Sequence, residues 1–158
     1  MYSLANYDFT ESGVESTLSS TFQDYYNAIA QLNDILANLK ANKDVVFQYN
    51  NDKLIEGEIL GLRAFLHLEV LRFWGPVPEN ATDDLVTIPY VTEITNDVSK
   101  LRSKTWKEVT TSIEQDLNNA EQLLMTYDPI TKTEEESDEE EEIKDQWQTM
   151  RQGRFNYY

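Results

Sequence analysis

The chain has no cysteine in its 158 residues. That absence removes disulfides, thiolate metal sites and cysteine nucleophiles together. Four prolines and five glycines supply too little turn chemistry for a fold built of many short strands. No window reaches the roughly 18 uncharged apolar residues that a bilayer span requires. The opening MYSLANYDFTESG lacks both the basic and the apolar region of a signal peptide. Basic residues are scarce as well, 13 against 29 acidic, for a net charge of -16. Such a surface repels phosphates, which argues against a nucleic-acid partner.

What is present is apolar and aromatic: 40% of the residues are hydrophobic and 11% of the chain is aromatic, in a chain long enough for one domain with a core. Residues 1–18 are polar and rich in Ser, Thr and Glu, and they read as an N-terminal arm. Ser20 and Gln23 then have the spacing of a capping box. Phe22, Tyr25, Ile29, Leu32, Leu36 and Leu39 follow in steps of three and four, with Gln23, Asn27, Gln31, Asp34 and Asn38 opposite. This is an amphipathic helix fraying near Asn42.

Asp52 is a plausible start for a second helix that runs to Trp74 and stops at Gly75-Pro76. At 100° per residue, Ile55, Ile59, Leu62, Leu66, Val70 and Phe73 gather on one side, and Leu60, Ala64, Leu68 and Leu71 on nearly the other. Glu56, Arg63 and His67 fall in one seam between them, and Glu58, Glu69 and Arg72 in the other. The pattern predicts a helix sandwiched between two neighbours, its charges in the seams. Gly57, Gly61 and Ala64 would let one neighbour approach closely.

Residues 76–102 carry three prolines and short β-branched runs, the mark of an extended connection with one short strand. Thr105 and Glu108 form a capping box for a third helix, whose stripe is Trp106, Val109, Ile113, Leu117, Ala120 and Leu124, ended by Asp128-Pro129. Residues 128–146 read as an acidic mobile loop: TKTEEESDEEEEIKD holds nine acids in fifteen positions. It lacks the alternating Asp/Asn ligands and turn glycine of an EF-hand, so a solvated loop is expected rather than a calcium site. WQTMRQGRFNYY, residues 147–158, reads as the start of a further helix in a chain that is a fragment.

A helix with apolar surface on two sides suits stacked helical hairpins better than a three-helix bundle, whose helices need one apolar face each. The expected fold is all-α: an irregular, tetratricopeptide-like α-α superhelix fragment, with the 76–102 excursion breaking any clean repeat. No catalytic constellation is visible. His67, the sole histidine, sits beside Arg63 and Glu56 and suits a hydrogen-bonding role in a seam. Arg63 reads as a buried anchor for a carboxylate or carbonyls. Glu58 and Glu69 point along a seam three turns apart, a poor placement for acid–base work on one bond.

In this order, the YYNAIAQLNDIL helix, GEILGLRAFLHLEVLRFWGPVP, IPYVTEI and LRSKTWKEVTTSIEQDLNNAEQLL resemble the SusD/RagB family of outer-membrane nutrient-binding lipoproteins. Gly57-Glu58, Leu62-Arg63-Ala64-Phe65 and Phe73-Trp74-Gly75-Pro76-Val77-Pro78 answer the family's motifs, with one extra residue around Trp74. Trp106, Ile113, Asp116-Leu117 and Ala120 resemble its next helix, with Arg102 at the arginine before it. The resemblance covers roughly residues 20–127 and marks residues 19–127 as the family's N-terminal helical domain. It implies a surface protein, held by a lipid anchor that this cysteine-free chain does not contain, which captures oligosaccharides or similar nutrients. They would pass to a SusC-type, TonB-dependent transporter. No metal, cofactor or catalysis is implied.

A sugar site needs flat aromatic faces flanked by Asn, Asp or Arg. The loop residues that offer these are Tyr49 with Asn50 and Asn51, and Tyr90, although Tyr49 is as well placed to pack over the hairpin turn. Trp74, Trp106, Tyr25 and Tyr26 fall at core spacing. The alternative function is a helical-repeat adaptor that holds another protein and never touches sugar.

Overall fold

The computed structural model describes residues 12–42, 51–95, 97 and 101–128. Among these the fold is all-α: helices α1 (Ser12–Ala41), α2 (Asn51–Trp74) and α3 (Trp106–Tyr127), plus a short 3₁₀ turn at Pro78–Asn80. The proposed cap at Ser20 is corrected, since α1 begins at Ser12, inside the stretch read as a polar arm. Its hydroxyls turn back on their own helix instead of capping it. Thr17 donates to the Gly13 carbonyl at 2.8 Å, Ser20 to Thr17 at 2.9 Å and Thr21 to Thr17 at 2.8 Å, the back-bonding that lets Ser and Thr persist within a helix. Val14 is buried at the start of the same face. Farther along, Ile29 and Leu36 are buried as the spacing predicts, and Asn33 is buried between them.

Helix α2 lies between α1 and α3, packing against both. The α3 side is the closer approach. A side-chain carbon at Gly57 would lie 3.0 Å from Leu123 Cβ, whereas one at Gly61 would meet Ala120 Cβ at an ordinary 3.7 Å. Helix α2 ends as its sequence dictates. The Gly75 amide donates to the Leu71 carbonyl at 2.8 Å, and a Cβ at Gly75 would sit 2.3 Å from that same oxygen. Only glycine fits this exit, and Pro76 prevents the helix from continuing.

The expected two-sided burial of α2 needs correction. Its buried arc is Ile59, Arg63, Ala64, His67, Val70 and Leu71. Arg63 and His67, placed in a seam by the helical wheel, lie at the centre of this arc. On the other side Leu62 is 52%, Phe65 54% and Phe73 64% exposed, and Leu68 is also exposed. The charges moved inward because α1, α3 and the connection supply polar partners there, so the apolar arc bearing Leu62 and Phe73 remains open.

The connection from α2 to α3 is extended, with an isolated antiparallel bridge between Val86 and Thr105 in place of the expected strand. Thr87 N donates to Lys104 O at 2.8 Å, Lys104 N to Ile88 O at 3.0 Å and Trp106 N to Leu85 O at 2.7 Å. The capping box of α3 forms as read: Glu108 N donates to Thr105 Oγ1, and Thr105 N to Glu108 Oε2. One core joins Ala64, Val70, Leu71, Ile88, Tyr90, Val109 and Ile113, with Phe22, Tyr25, Tyr26, Trp74 and Trp106 packed against it. Trp74 meets Phe22 edge-on at 5.2 Å between ring centres. No described helix is long and apolar enough to cross a membrane.

Candidate functional site

The buried arc of α2 holds a polar network. Arg63 donates to Asp116 of α3 through Nε at 2.7 Å and through Nη2 at 2.8 Å. Its Nη1 reaches Asn33 Oδ1 of α1 at 2.8 Å and the Thr92 carbonyl at 3.3 Å. Tyr90 donates its hydroxyl to Asp116 Oδ2 at 2.5 Å. Both charges are nearly sealed from water, and such a pair persists only when its remaining hydrogen-bonding capacity is met. Here three elements meet it. Burial works against the guanidinium charge, but the hydrogen bonds and charge of Asp116 outweigh it and hold the Arg63 pKa above its ordinary value.

His67 completes the network and is fully buried. Its Nδ1 lies 2.9 Å from the Arg63 carbonyl, and its Nε2 lies 3.0 Å from the Val91 amide. A carbonyl can only accept and an amide N–H only donates. The ring is therefore neutral, with the proton on Nδ1 and the lone pair of Nε2 toward Val91. Burial pushes its pKa from 6.5 down to about 4. The ring stacks on Tyr90 with centres 3.9 Å apart, and burial raises the Tyr90 hydroxyl well above its ordinary value.

These side chains converge on the backbone of the connection. Tyr26 donates to the Pro89 carbonyl at 2.8 Å, and Asn33 Nδ2 to the Val91 carbonyl at 3.1 Å. His67 accepts from Val91 N, and Arg63 donates to Thr92 O. An extended segment without a sheet partner leaves its peptide groups wanting partners, and α1 and α2 supply them from side chains. Residues 89–92 thus form a pinned rib across the helices.

Two hollows border this rib. One, of about 350 Å³, is apolar and lies between α1 and the connection, with Phe22, Tyr26, Ala30, Ile94 and Leu101 in its walls. The other, of about 320 Å³, is more polar and is bordered by Thr92, Glu93, Thr95, Arg102 and Lys104. Val91, Glu93 and Thr95 border both. Among the described residues no group of three His, Asp or Glu side chains is placed to hold a metal ion.

Of the residues read from sequence as ligand candidates, Tyr49 and Asn50 lie outside the described residues. Tyr90 borders the more polar hollow but is only 3% exposed, with its hydroxyl on Asp116 and its ring against His67. Gly57, Gly61 and Ala64 form the close seam to α3; Gly75 and Pro76 form the helix exit. Glu58 is half-buried on α2. Sequence reasoning passed over Asn33 and named Asp116 only as part of a family-like motif, without a role; both are polar residues on otherwise apolar faces. Asp116 sits one step from Leu117, which took its place in the predicted stripe but is 45% exposed.

A model of the SusD-like family, described as starch-binding and associating with the outer membrane, matches residues 2–138. No curated protein and no solved structure matches the chain.

Proposed function

The chain belongs to the SusD-like family, and from that premise we propose that it captures oligosaccharides at the outer-membrane surface and passes them to a SusC-type, TonB-dependent transporter. The observation that carries this reading is the family match across residues 2–138. The two hollows on the pinned rib supply a physical basis for capture. Concave sites that combine apolar walls with a few placed polar groups are what small-ligand binding needs. Membrane attachment in this reading is through a lipid anchor.

The reading is of binding without catalysis, in line with a family described as starch-binding. His67 supports it, since both ring nitrogens are committed to backbone groups and neither faces a substrate. The test is calorimetric titration of the full chain with a panel of neutral and charged oligosaccharides, followed by co-purification with a SusC-type transporter. Saturable heats with at least one sugar are expected. Silence across the whole panel overturns capture.

The open apolar arc of α2, with Leu62, Phe65 and Phe73 more than half exposed, favours a second reading as a protein-holding adaptor. Large exposed apolar patches mark interaction surfaces. The doubly substituted Leu62→Gln, Phe65→Gln chain separates the two. Under capture it keeps its sugar binding, whereas the adaptor reading expects no sugar binding in either chain and loss of the protein partner in the variant.

A further inference from the structure

We propose that the more polar of the two hollows takes a saccharide bearing an anionic group, a carboxylate or sulfate held between Arg102 and Lys104. The inference rests on the glycan-capture reading and narrows its substrate class.

The first observation is the state of the cations. Lys53 pairs with Glu56 at 3.0 Å, Lys107 with Asp83 at 2.8 Å, Arg63 with Asp116, and Arg72 with Glu69. Arg102 and Lys104 also carry charge in a strongly acidic chain, yet no ion pair among the described residues engages either side chain. Both border the same hollow of about 320 Å³. The nearby Glu108 carboxylate accepts from Thr105 N at 2.8 Å in the cap of α3 and keeps its charge, which Arg102 and Lys104 both feel without forming an ion pair to it.

The second observation is the rest of the wall. Thr92 and Thr95 border the hollow, and the Thr95 hydroxyl oxygen already accepts from Asp97 N at 3.0 Å, which leaves its proton to donate. Glu93 contributes one negative charge at the same border, so the described lining carries two positive charges against one negative. A guanidinium fork matches a carboxylate or sulfate with two parallel hydrogen bonds. A neutral sugar offers that fork only hydroxyls.

The whole-chain charge of -16 does not decide the matter. At physiological salt the screening length is about 8 Å, so affinity follows the groups lining the hollow rather than the chain total. The rib is held by α1 and α2 from beneath, and Lys104 by its backbone bonds to Thr87 and Ile88 at 2.8 and 3.0 Å. The backbone that carries Lys104 and the rib is therefore held without help from a ligand.

The test titrates the full chain with trigalacturonate, a sulfated galactobiose and maltotriose at two salt concentrations. Expected is at least ~10-fold tighter binding of one anionic sugar than of maltotriose, weakening as salt rises. In the Arg102→Gln, Lys104→Gln chain the anionic sugars bind no tighter than maltotriose does to the same chain. Arg102 is exposed and Lys104 half-buried, so the variant should fold, which circular dichroism checks. The carboxylate and sulfate arms tell which anion is preferred. Equal or tighter binding of maltotriose overturns the inference but leaves glycan capture standing. Silence with all three sugars overturns the inference and leaves capture to the wider panel, and a preference that survives the double substitution overturns the assignment to this hollow.

Discussion

Arg63 and Asp116, 53 residues apart in sequence, face each other across the α2–α3 seam as a two-pronged ion pair, each less than a tenth exposed. The same guanidinium reaches Asn33 on α1 and the Thr92 carbonyl of the connection. One side chain thus ties all three helices and the rib into a single unit.

Asp116→Asn should lower unfolding free energy by about 3–5 kcal/mol, the cost of leaving one buried charge without its partner. Arg63→Met should do the same. The combined Arg63→Met, Asp116→Leu chain should lose less than the sum of the two single losses, because no charge is then stranded. Urea denaturation of the four chains checks this. A loss below about 1 kcal/mol for Asp116→Asn would contradict the burial of the pair.

His67 sets a pH dependence of known sign. Its folded pKa, about 4, lies below its ordinary 6.5, so between these values the unfolded chain binds a proton that the folded chain refuses. Stability is fully present above pH 6.5, falls as pH drops toward 4, and changes no further through this group below that. The difference amounts to roughly 3 kcal/mol across the window. His67→Gln can still donate to one side and accept from the other, and should flatten the decline between pH 7 and pH 5. Equal slopes in the two chains would rule out His67 as the source.

The two glycines of the α2–α3 seam should part company. Gly61→Ala gains helix propensity, about 0.5–1 kcal/mol, with only an ordinary contact to Ala120. Gly57→Ala gains the same but drives its new carbon to 3.0 Å from Leu123 Cβ and 3.2 Å from Leu124 Cγ. Overpacking of this kind costs about 1–3 kcal/mol, and Leu123 Cβ, tied to the backbone, yields little. Gly61→Ala should stabilise and Gly57→Ala destabilise, read from paired thermal melts. The same sign for both would show the seam to be more forgiving than its distances imply.

Removing the pins should loosen the rib before it loosens the helices. Tyr26→Phe deletes the bond to Pro89, and Asn33→Ala deletes those to Val91 and Arg63. Each loss is worth about 1 kcal/mol or somewhat more. Hydrogen exchange should quicken first at residues 90–93, with the middle of α2 protected as before. Uniform acceleration across the chain would mean that these bonds support the whole fold rather than the connection.

The helices were legible because their apolar residues recur at helical spacing and their ends carry recognisable signals: Thr105 with Glu108, and Gly75-Pro76. The close α2–α3 seam was legible from Gly57, Gly61 and Ala64. Arg63 as a buried anchor and His67 as a hydrogen-bonder were legible too, but not that both lie at the centre of the buried arc. A helical wheel ranks arcs by hydrophobicity, and it placed both residues between two greasier arcs. What draws them inward lies elsewhere in the chain, at Asn33, Asp116 and the backbone of residues 91–92. The start of α1 was missed for a related reason, since Thr17, Ser20 and Thr21 look like loop formers until their hydroxyls find carbonyls within the same helix. Asp116 was the available clue. A carboxylate on the face shared by Ile113 and Ala120 demands a cation opposite it.

Val91 is held through both of its peptide groups, its N–H by His67 and its C=O by Asn33. A stretch fixed this way has already surrendered its torsional freedom before any visitor arrives. Molecules settling on either flank meet a wall that needs no further ordering, so less of the contact energy is lost to immobilising the host. Discrimination between visitors then falls to the side chains that project from the wall and not to any yielding of the wall itself.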